Sequence, residues 1–204
     1  MTNSETNTLK KIVTIGPEST GKSFLCEQLA KHYNTEWCPE YAREFLLAHG
    51  TNYSYKDLLT IAQGQIRLEE QFESIVKSKL PEPSNSRPDN HRVTIHDSRL
   101  LFIDTDMYVM KVWCEFVFGN VHPWIIEQIS KRKYDLYLLC DVDLPWTRDE
   151  LREYPDLETR VKLFGIYKQI LESQSTPWII IHGNTEERVS NAIVAVDKIL
   201  KNES

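Results

Sequence analysis

The sequence predicts an α/β fold in which one parallel sheet carries helices on both faces. Two observations predict it. Short apolar, β-rich runs alternate along the chain with longer runs of helical period. The first of them, "KKIVTI", leads straight into "GPESTGKS", Gly16 to Ser23, and then into the helical "KSFLCEQLAKHY". The octapeptide fits G-x-x-x-x-G-K-[ST] at every fixed position. A strand before it and a helix after it are the context that a phosphate-cradling P-loop needs.

The remaining elements follow in order. "TEWCPEY" is a short second strand broken at Pro39, and "EYAREFLLAHG" is a helix stopped by Gly50. "YKDLLTIAQGQIRLEEQFESIVKSKL" is one long amphipathic helix with Gly64 in its interior. "PEPSNSRPDNH" is a loop, mobile over 81–91. "RVTIHDSRLLFIDTD" holds one or two strands, of which "LLFID" is the stronger. "MYVMKVWCEFVFG" is apolar almost all round, which predicts a buried helix, and "HPWIIEQISKRK" is another with Pro123 near its start. "YDLYLLCD" is a buried strand, "LPWTRDELREYPD" a charged excursion and "LETRVKLFGIYKQILES" a helix. "TPWIIIHG" and "TEERVSNAIVAVDKILKN" close the chain as strand and helix. Residues 1–10 are expected to be a flexible N-terminus and 11–201 a single domain, because no linker is long enough to separate two.

Composition narrows the function classes. A 204-residue chain that is 41% apolar and 26% charged is an ordinary globular domain. A net charge of −6 and a pI near 5.6 argue against a general nucleic-acid surface. Cys26, Cys38, Cys114 and Cys140 form no C-x-x-C pair, and the opening "MTNSETNTLKK" has no apolar signal core. Reduced thiols in the cytoplasm are therefore expected, with no membrane span. His91 and His96 lack further ligands nearby in sequence and are expected to be solvated or locally bonded.

The sheet rule gathers the candidate site. Ligands of parallel sheets bind at the carboxyl ends of the strands. That edge collects Gly16–Ser23, Glu40–Arg43, Asp104–Asp106, the 145–160 excursion and Gly183–Asn184. Within the loop, Gly16, Glu18, Ser19, Thr20 and Gly21 offer backbone to phosphates. Lys22 reaches the β- and γ-phosphates of ATP, and Ser23 sits on Mg²⁺. Asp104 ends an apolar strand, where a carboxylate either joins the Mg²⁺ shell or takes a proton from an acceptor hydroxyl. Asp106 serves the acceptor side or caps the next helix. Glu40, Tyr41 and Arg43 begin a helix at the same edge, suited to an acceptor or to a local charge pair. Trp37 and Trp146 border the site, where an aromatic stacks on a base or packs. Trp113, Trp124 and Trp178 sit in apolar elements and are expected to be structural.

Five marks together carry a family resemblance: "GPESTGKS", "EYAREF", "FIDTD", "HP" after a buried helix, and "LPWTRDELR" with a further Arg160. Over about Lys11 to Leu200 the chain resembles the ribosylnicotinamide kinase domain of bacterial NadR-type NAD-salvage proteins and related small AAA-like P-loop proteins. The resemblance implies a small-molecule-kinase-like core with a lid. It also implies ATP γ-phosphoryl transfer to the 5′-hydroxyl of a nucleoside such as ribosylnicotinamide. Arg152 and Arg160 become lid residues that meet the transferring phosphoryl group, a role their spacing alone does not assign. Pro39 stands where those kinases place a ring-stacking aromatic before Glu-Tyr, and the long helix offers Phe72 only near its end.

Two other classes share the loop. A regulatory nucleotide-binding protein needs no acceptor, but no Asn-Lys-x-Asp guanine-reading motif is present. A mechanical AAA ATPase needs an acid after the strand-end Asp to activate water, and Thr105 stands there. Both features favour transfer to a small molecule over transfer to water.

Overall fold

A computed structural model describes residues 8–79 and 99–201. Its elements are β1 (Lys10–Ile15), α1 (Lys22–Tyr33), β2 (Glu36–Cys38), α2 (Tyr41–His49), α3 (Tyr55–Ser78), β3 (Leu100–Asp104), α4 (Met107–Phe118), α5 (Pro123–Lys131), β4 (Leu136–Cys140), α6 (Leu157–Glu172), β5 (Trp178–Ile181) and α7 (Thr185–Lys201). The five strands are all parallel, in the order β2-β3-β1-β4-β5. The expected fold is therefore the observed one.

Alternation along each strand explains why both faces are covered. Ile12, Leu100, Phe102, Leu136 and Leu138 pack on one side with Leu25, Leu29 and Tyr33 of α1 and Ala192 and Val196 of α7. Val13, Ile15, Leu101, Ile103 and Leu139 pack on the other with Val76 of α3, Val109 and Val112 of α4, and Leu163 and Tyr167 of α6. Strands apolar at consecutive positions need a helix layer on each side, which is what parallel crossovers supply. A third cluster, away from the sheet, joins α2, α3, α4 and α5 through Phe45, Leu58, Ile61, Met110 and Ile125.

The register places the chemistry. Thr14 of β1 lies beside Asp104 of β3, so the P-loop and the "FIDTD" carboxylate leave the sheet side by side. Several expectations need correction. Lys10, placed in a flexible N-terminus, is the first residue of β1 and pairs with Asp135 at 3.2 Å. Helix α4 is not buried all round: its last turn runs out of the core, leaving Val117 37% and Phe118 38% exposed before Gly119 ends it at φ 67°. The 81–91 loop, His91, His96 and the possible strand before Arg99 lie outside the described residues. All four cysteines are buried and unpaired, and burial pushes the Cys140 thiol up to about 12. Among the described residues, no helix is long and apolar enough to cross a membrane.

Candidate functional site

The P-loop is shaped by three backbone conformations with positive φ: Gly16 at 143°, Ser19 at 56° and Gly21 at 78°. Gly16 is needed for a reason besides phosphate access. A Cβ there would stand 2.7 Å from the Cys140 carbonyl oxygen, so the loop leaves β1 pressed against β4. The loop also closes on itself. The Thr20 hydroxyl and the Lys22 ammonium both donate to the Pro17 carbonyl, each at 2.8 Å. From behind, Arg188 of α7 fastens it. Its guanidinium donates to the carbonyls of Thr20 (3.0 Å), Gly183 (2.8 Å) and Asp141 (3.0 Å) and pairs with Asp143. Arg188 is only 4% exposed, so these bonds form in a water-poor setting.

Beside the loop, the Ser23 hydroxyl donates to Asp104 Oδ2 at 2.5 Å, while Asp104 Oδ1 is buried with no hydrogen-bond partner. An orphaned buried carboxylate oxygen is costly unless something completes it. Burial first, and then the nearby charge of Glu40, lift the Asp104 carboxyl to about 6 against the opposing pull of Lys22 and Ser23. A divalent cation fits this observation. Mg²⁺ takes one or two protein oxygens and keeps the rest of its shell for phosphate and water. Ser23 and Asp104 would hold it. Among the described residues no group of three or more His, Cys, Asp or Glu forms an all-protein metal cage. Thr105 holds φ 78°, unusual for a β-branched residue, and its hydroxyl donates to Glu40 at 3.4 Å.

One cleft, with a cavity of about 370 Å³, runs from Gly16–Phe24 to a chamber built by other elements. Trp37, Glu40, Arg43, Trp113, Phe116 and Tyr154 line that chamber. Leu151–Tyr154 of the 141–156 segment roof it, and the segment touches the P-loop. Glu18 accepts from the backbone N–H groups of Glu153 (2.9 Å) and Tyr154 (3.2 Å), and Ser19 Oγ accepts from Thr147 N–H (2.9 Å) and Arg152 (3.2 Å). Burial raises the Glu18 carboxyl, and the two amides oppose that rise. On its other flank the segment is held by Arg43, which pairs with Asp149 at 3.0 Å.

The structure thus brings Gly16, Glu18–Ser23, Trp37, Glu40, Arg43, Asp104 and Arg152 into one cleft. It sets others apart. Tyr41, expected near substrate, packs its ring over Gly64 of α3, where a Cβ would come 2.0 Å from Tyr41 Cε1. Asp106 caps α4 through Tyr108 and Val109 N–H and accepts from Tyr137 OH at 2.8 Å. Burial raises its carboxyl to about 7, and it does not line the cleft. Asn184 accepts from Glu186 and Glu187 N–H at the start of α7 and does not line the cleft. Trp146 is half-buried in the roofing segment, outside the lining. Arg160 sits behind the loop, donating to the Ser19 carbonyl at 3.3 Å. It also donates to the Leu144 carbonyl at 3.5 Å, is buried, and does not line the cleft.

Sequence reasoning missed Trp113, Phe116 and Tyr154 as lining residues, and Arg188 as the loop's fastening. Trp113 sits in an apolar run that reads as core. Arg188 lies four residues after Asn184, at the first turn of a helix whose start was already placed at the site edge; that was the available signal.

A five-stranded parallel sheet, a phosphate loop, a strand-end carboxylate and a roofing segment define a P-loop protein with the fold of the small-molecule kinases. More narrowly, residues 11–188 match the family model described as AAA domain, and the chain belongs to that family. It is 25% identical over 175 residues to the trifunctional NAD biosynthesis/regulator protein NadR of Escherichia coli (strain K12), covering 84% of this chain and 38% of that protein. The chain spans well under half the length of such curated relatives. A crystal structure of NadR protein in complex with NR superposes with a TM-score of 0.71 at 21% identity, over 94% of this chain and 49% of that one. Thymidylate kinase from Candida albicans gives a TM-score of 0.62 at 14% identity, covering 97% and 94%. The resemblance to a NadR-like P-loop domain is borne out, and the shared fold extends to nucleotide kinases.

Proposed function

We propose that residues 11–201 act as one ATP-dependent kinase domain that phosphorylates the 5′-hydroxyl of a nucleoside, with ribosylnicotinamide the first candidate. The observation that carries this reading is the single cleft. It joins a phosphate loop to an aromatic-walled chamber, with Asp104 and Glu40 at the junction. NadR relatives named for NAD biosynthesis, one of them solved with NR, support the nucleoside class.

The chain's own groups then divide the work. Backbone N–H groups of the loop and Lys22 bind and orient the triphosphate. Ser23 and Asp104 would hold Mg²⁺, which would neutralise phosphate charge. Glu40 faces the acceptor and orients its hydroxyl. The hydroxyl oxygen bonds to the γ-phosphorus as the bond to the bridging oxygen breaks and ADP leaves with that electron pair. The hydroxyl proton passes to the Glu40 carboxylate. Arg152 stands over the loop, where charge spreads during transfer. The roof from Leu151 to Tyr154 excludes water. The chemistry of a soluble salvage enzyme fits a cytoplasmic setting.

ADP release should be slow with ATP alone and strongly stimulated by one member of a nucleoside panel, with a monophosphate product by mass spectrometry. Tight ATP binding with no phosphorylated product from any nucleoside would sink the kinase reading and leave a regulatory nucleotide-binding protein.

A further inference from the structure

The roofing segment touches both ends of the cleft through one residue. The backbone N–H of Glu153 donates to Glu18 in the P-loop at 2.9 Å. The side chain of the same residue points the other way and accepts from Tyr53 OH at 2.8 Å. Tyr53, in the turn between α2 and α3, accepts in turn from Trp113 Nε1 at 2.8 Å. Its ring meets the Trp113 indole edge-on, with centroids 5.0 Å apart and planes at 77°. Trp113 lines the acceptor chamber, whereas Tyr53 does not reach the cleft.

Each donor in this series has one proton and gives it to one acceptor, so the directions are fixed. The indole N–H can only donate, the phenol passes its own proton on, and the carboxylate only accepts. Burial raises the Tyr53 hydroxyl, so the phenol keeps its proton. Glu18 is itself half of a clamp, with Tyr154 N–H as its second donor. Any shift of the loop that moves the Glu18 carboxylate moves the backbone of Glu153 and, with it, the carboxylate that holds Tyr53.

We propose that Glu153 and Tyr53 are positioning residues that tie the Trp113 wall of the acceptor chamber to the P-loop, so that nucleotide binding and acceptor binding are energetically coupled. The proposal rests on the reading of the cleft as a two-substrate site. Coupling of this kind is reciprocal: a nucleotide that sets the wall makes the acceptor bind better, and the acceptor does the same for the nucleotide. A chain of contacts alone does not establish coupling, so the test reads whether the Trp113 wall responds to nucleotide and whether that response needs Glu153 and Tyr53.

The full chain labelled with ¹⁵N at tryptophan gives one indole N–H signal from each of its five tryptophans, and Trp113→Phe assigns the relevant one. Titration with Mg-AMP-PNP should shift the Trp113 signal in the parent. In Glu153→Ala that shift should shrink by about threefold or more, while AMP-PNP affinity by calorimetry changes by less than about threefold. Tyr53→Phe keeps the ring contact, loses the hydroxyl and should behave like Glu153→Ala. Glu153→Gln still presents an accepting oxygen and should retain the shift. A purely structural role would lower Tm without producing that order among the variants. The proposal is overturned if the parent binds AMP-PNP and the Trp113 signal does not move, or if the shift is undiminished in Glu153→Ala. Calorimetry showing no AMP-PNP binding to the parent would instead overturn the nucleotide reading, and this proposal with it.

Discussion

The two ends of the cleft are built on opposite plans. The nucleotide end is one run of neighbours, Gly16 to Ser23, whose working groups are mostly backbone N–H and whose shape is set by positive φ at Gly16, Ser19 and Gly21. The other end, which we propose for the acceptor, takes single side chains from distant elements: Trp37 from β2, Arg43 from α2, Trp113 and Phe116 from α4, and Tyr154 from the roof. Backbone recognition demands fixed spacing, because the loop must bend at set positions. Side-chain recognition demands only that distant elements pack in the right places. The first plan suits a ligand part shared by all nucleotides. The second suits a part that varies from acceptor to acceptor.

Four substitutions test that division. The largest effect is expected where the two ends meet. Asp104→Asn should lower stimulated turnover by about three powers of ten or more, since the group that completes the metal shell is lost. The same change should raise Tm of the metal-free protein. The folded carboxyl sits near 6 against an ordinary value of 3.8, so at pH 7 the parent bears the cost of ionising a buried acid. The gain, on the order of 1–3 kcal/mol, should be full above pH 6 and shrink as pH falls from 6 towards 3.8, where the parent also becomes protonated in the fold. Lower turnover without higher Tm would mean that Asp104 is not strained by burial.

Next in size, Lys22→Ala should reduce Mg-ATP turnover by about 10²–10³ with the fold intact by circular dichroism. A variant as active as the parent would break the nucleotide half of the comparison. Arg152→Ala should lower kcat by about tenfold or more while ATP KM changes less, because its charge acts mainly as the phosphoryl group transfers. A pure KM effect would make it a ground-state clamp, like its neighbour contact to Ser19. The smallest effect belongs to the acceptor end. Trp113→Phe should raise acceptor KM by about three- to tenfold, with a smaller rise in ATP KM carried through Tyr53 and Glu153. An equal rise in both would show that the two ends are less separate than their construction implies.

The same contrast explains what was legible in the sequence. The order of strands and helices along the chain, the P-loop and the strand-end Asp104 were readable because each is written in consecutive residues with a required period or spacing. Asp106 and Asn184 were readable as edge residues, but the backbone N–H groups that each side chain accepts at a helix start were visible only in the fold. Trp113 was hidden because an apolar helix reads the same whether its indole faces core or cavity. Arg188 and Arg160 were hidden as loop supports because their acceptors, the carbonyls of Thr20 and Ser19, are backbone atoms more than a hundred positions away.

Gly64 carries one more consequence. Helix α3 spends a glycine in mid-helix, at a cost of about 1 kcal/mol relative to alanine, because the Tyr41 ring lies against its backbone. The two positions therefore form a single steric unit spread over 23 residues of sequence. Across descendants of this chain they should drift together: alanine or larger at 64 is tolerated where 41 has shed its ring, and an aromatic at 41 holds 64 at glycine. Lineages that break the pairing one site at a time must pass through a clash or a void. The unit should thus change rarely and in paired steps, preserving the seating of α2 on α3 while the chamber beside it is free to diversify.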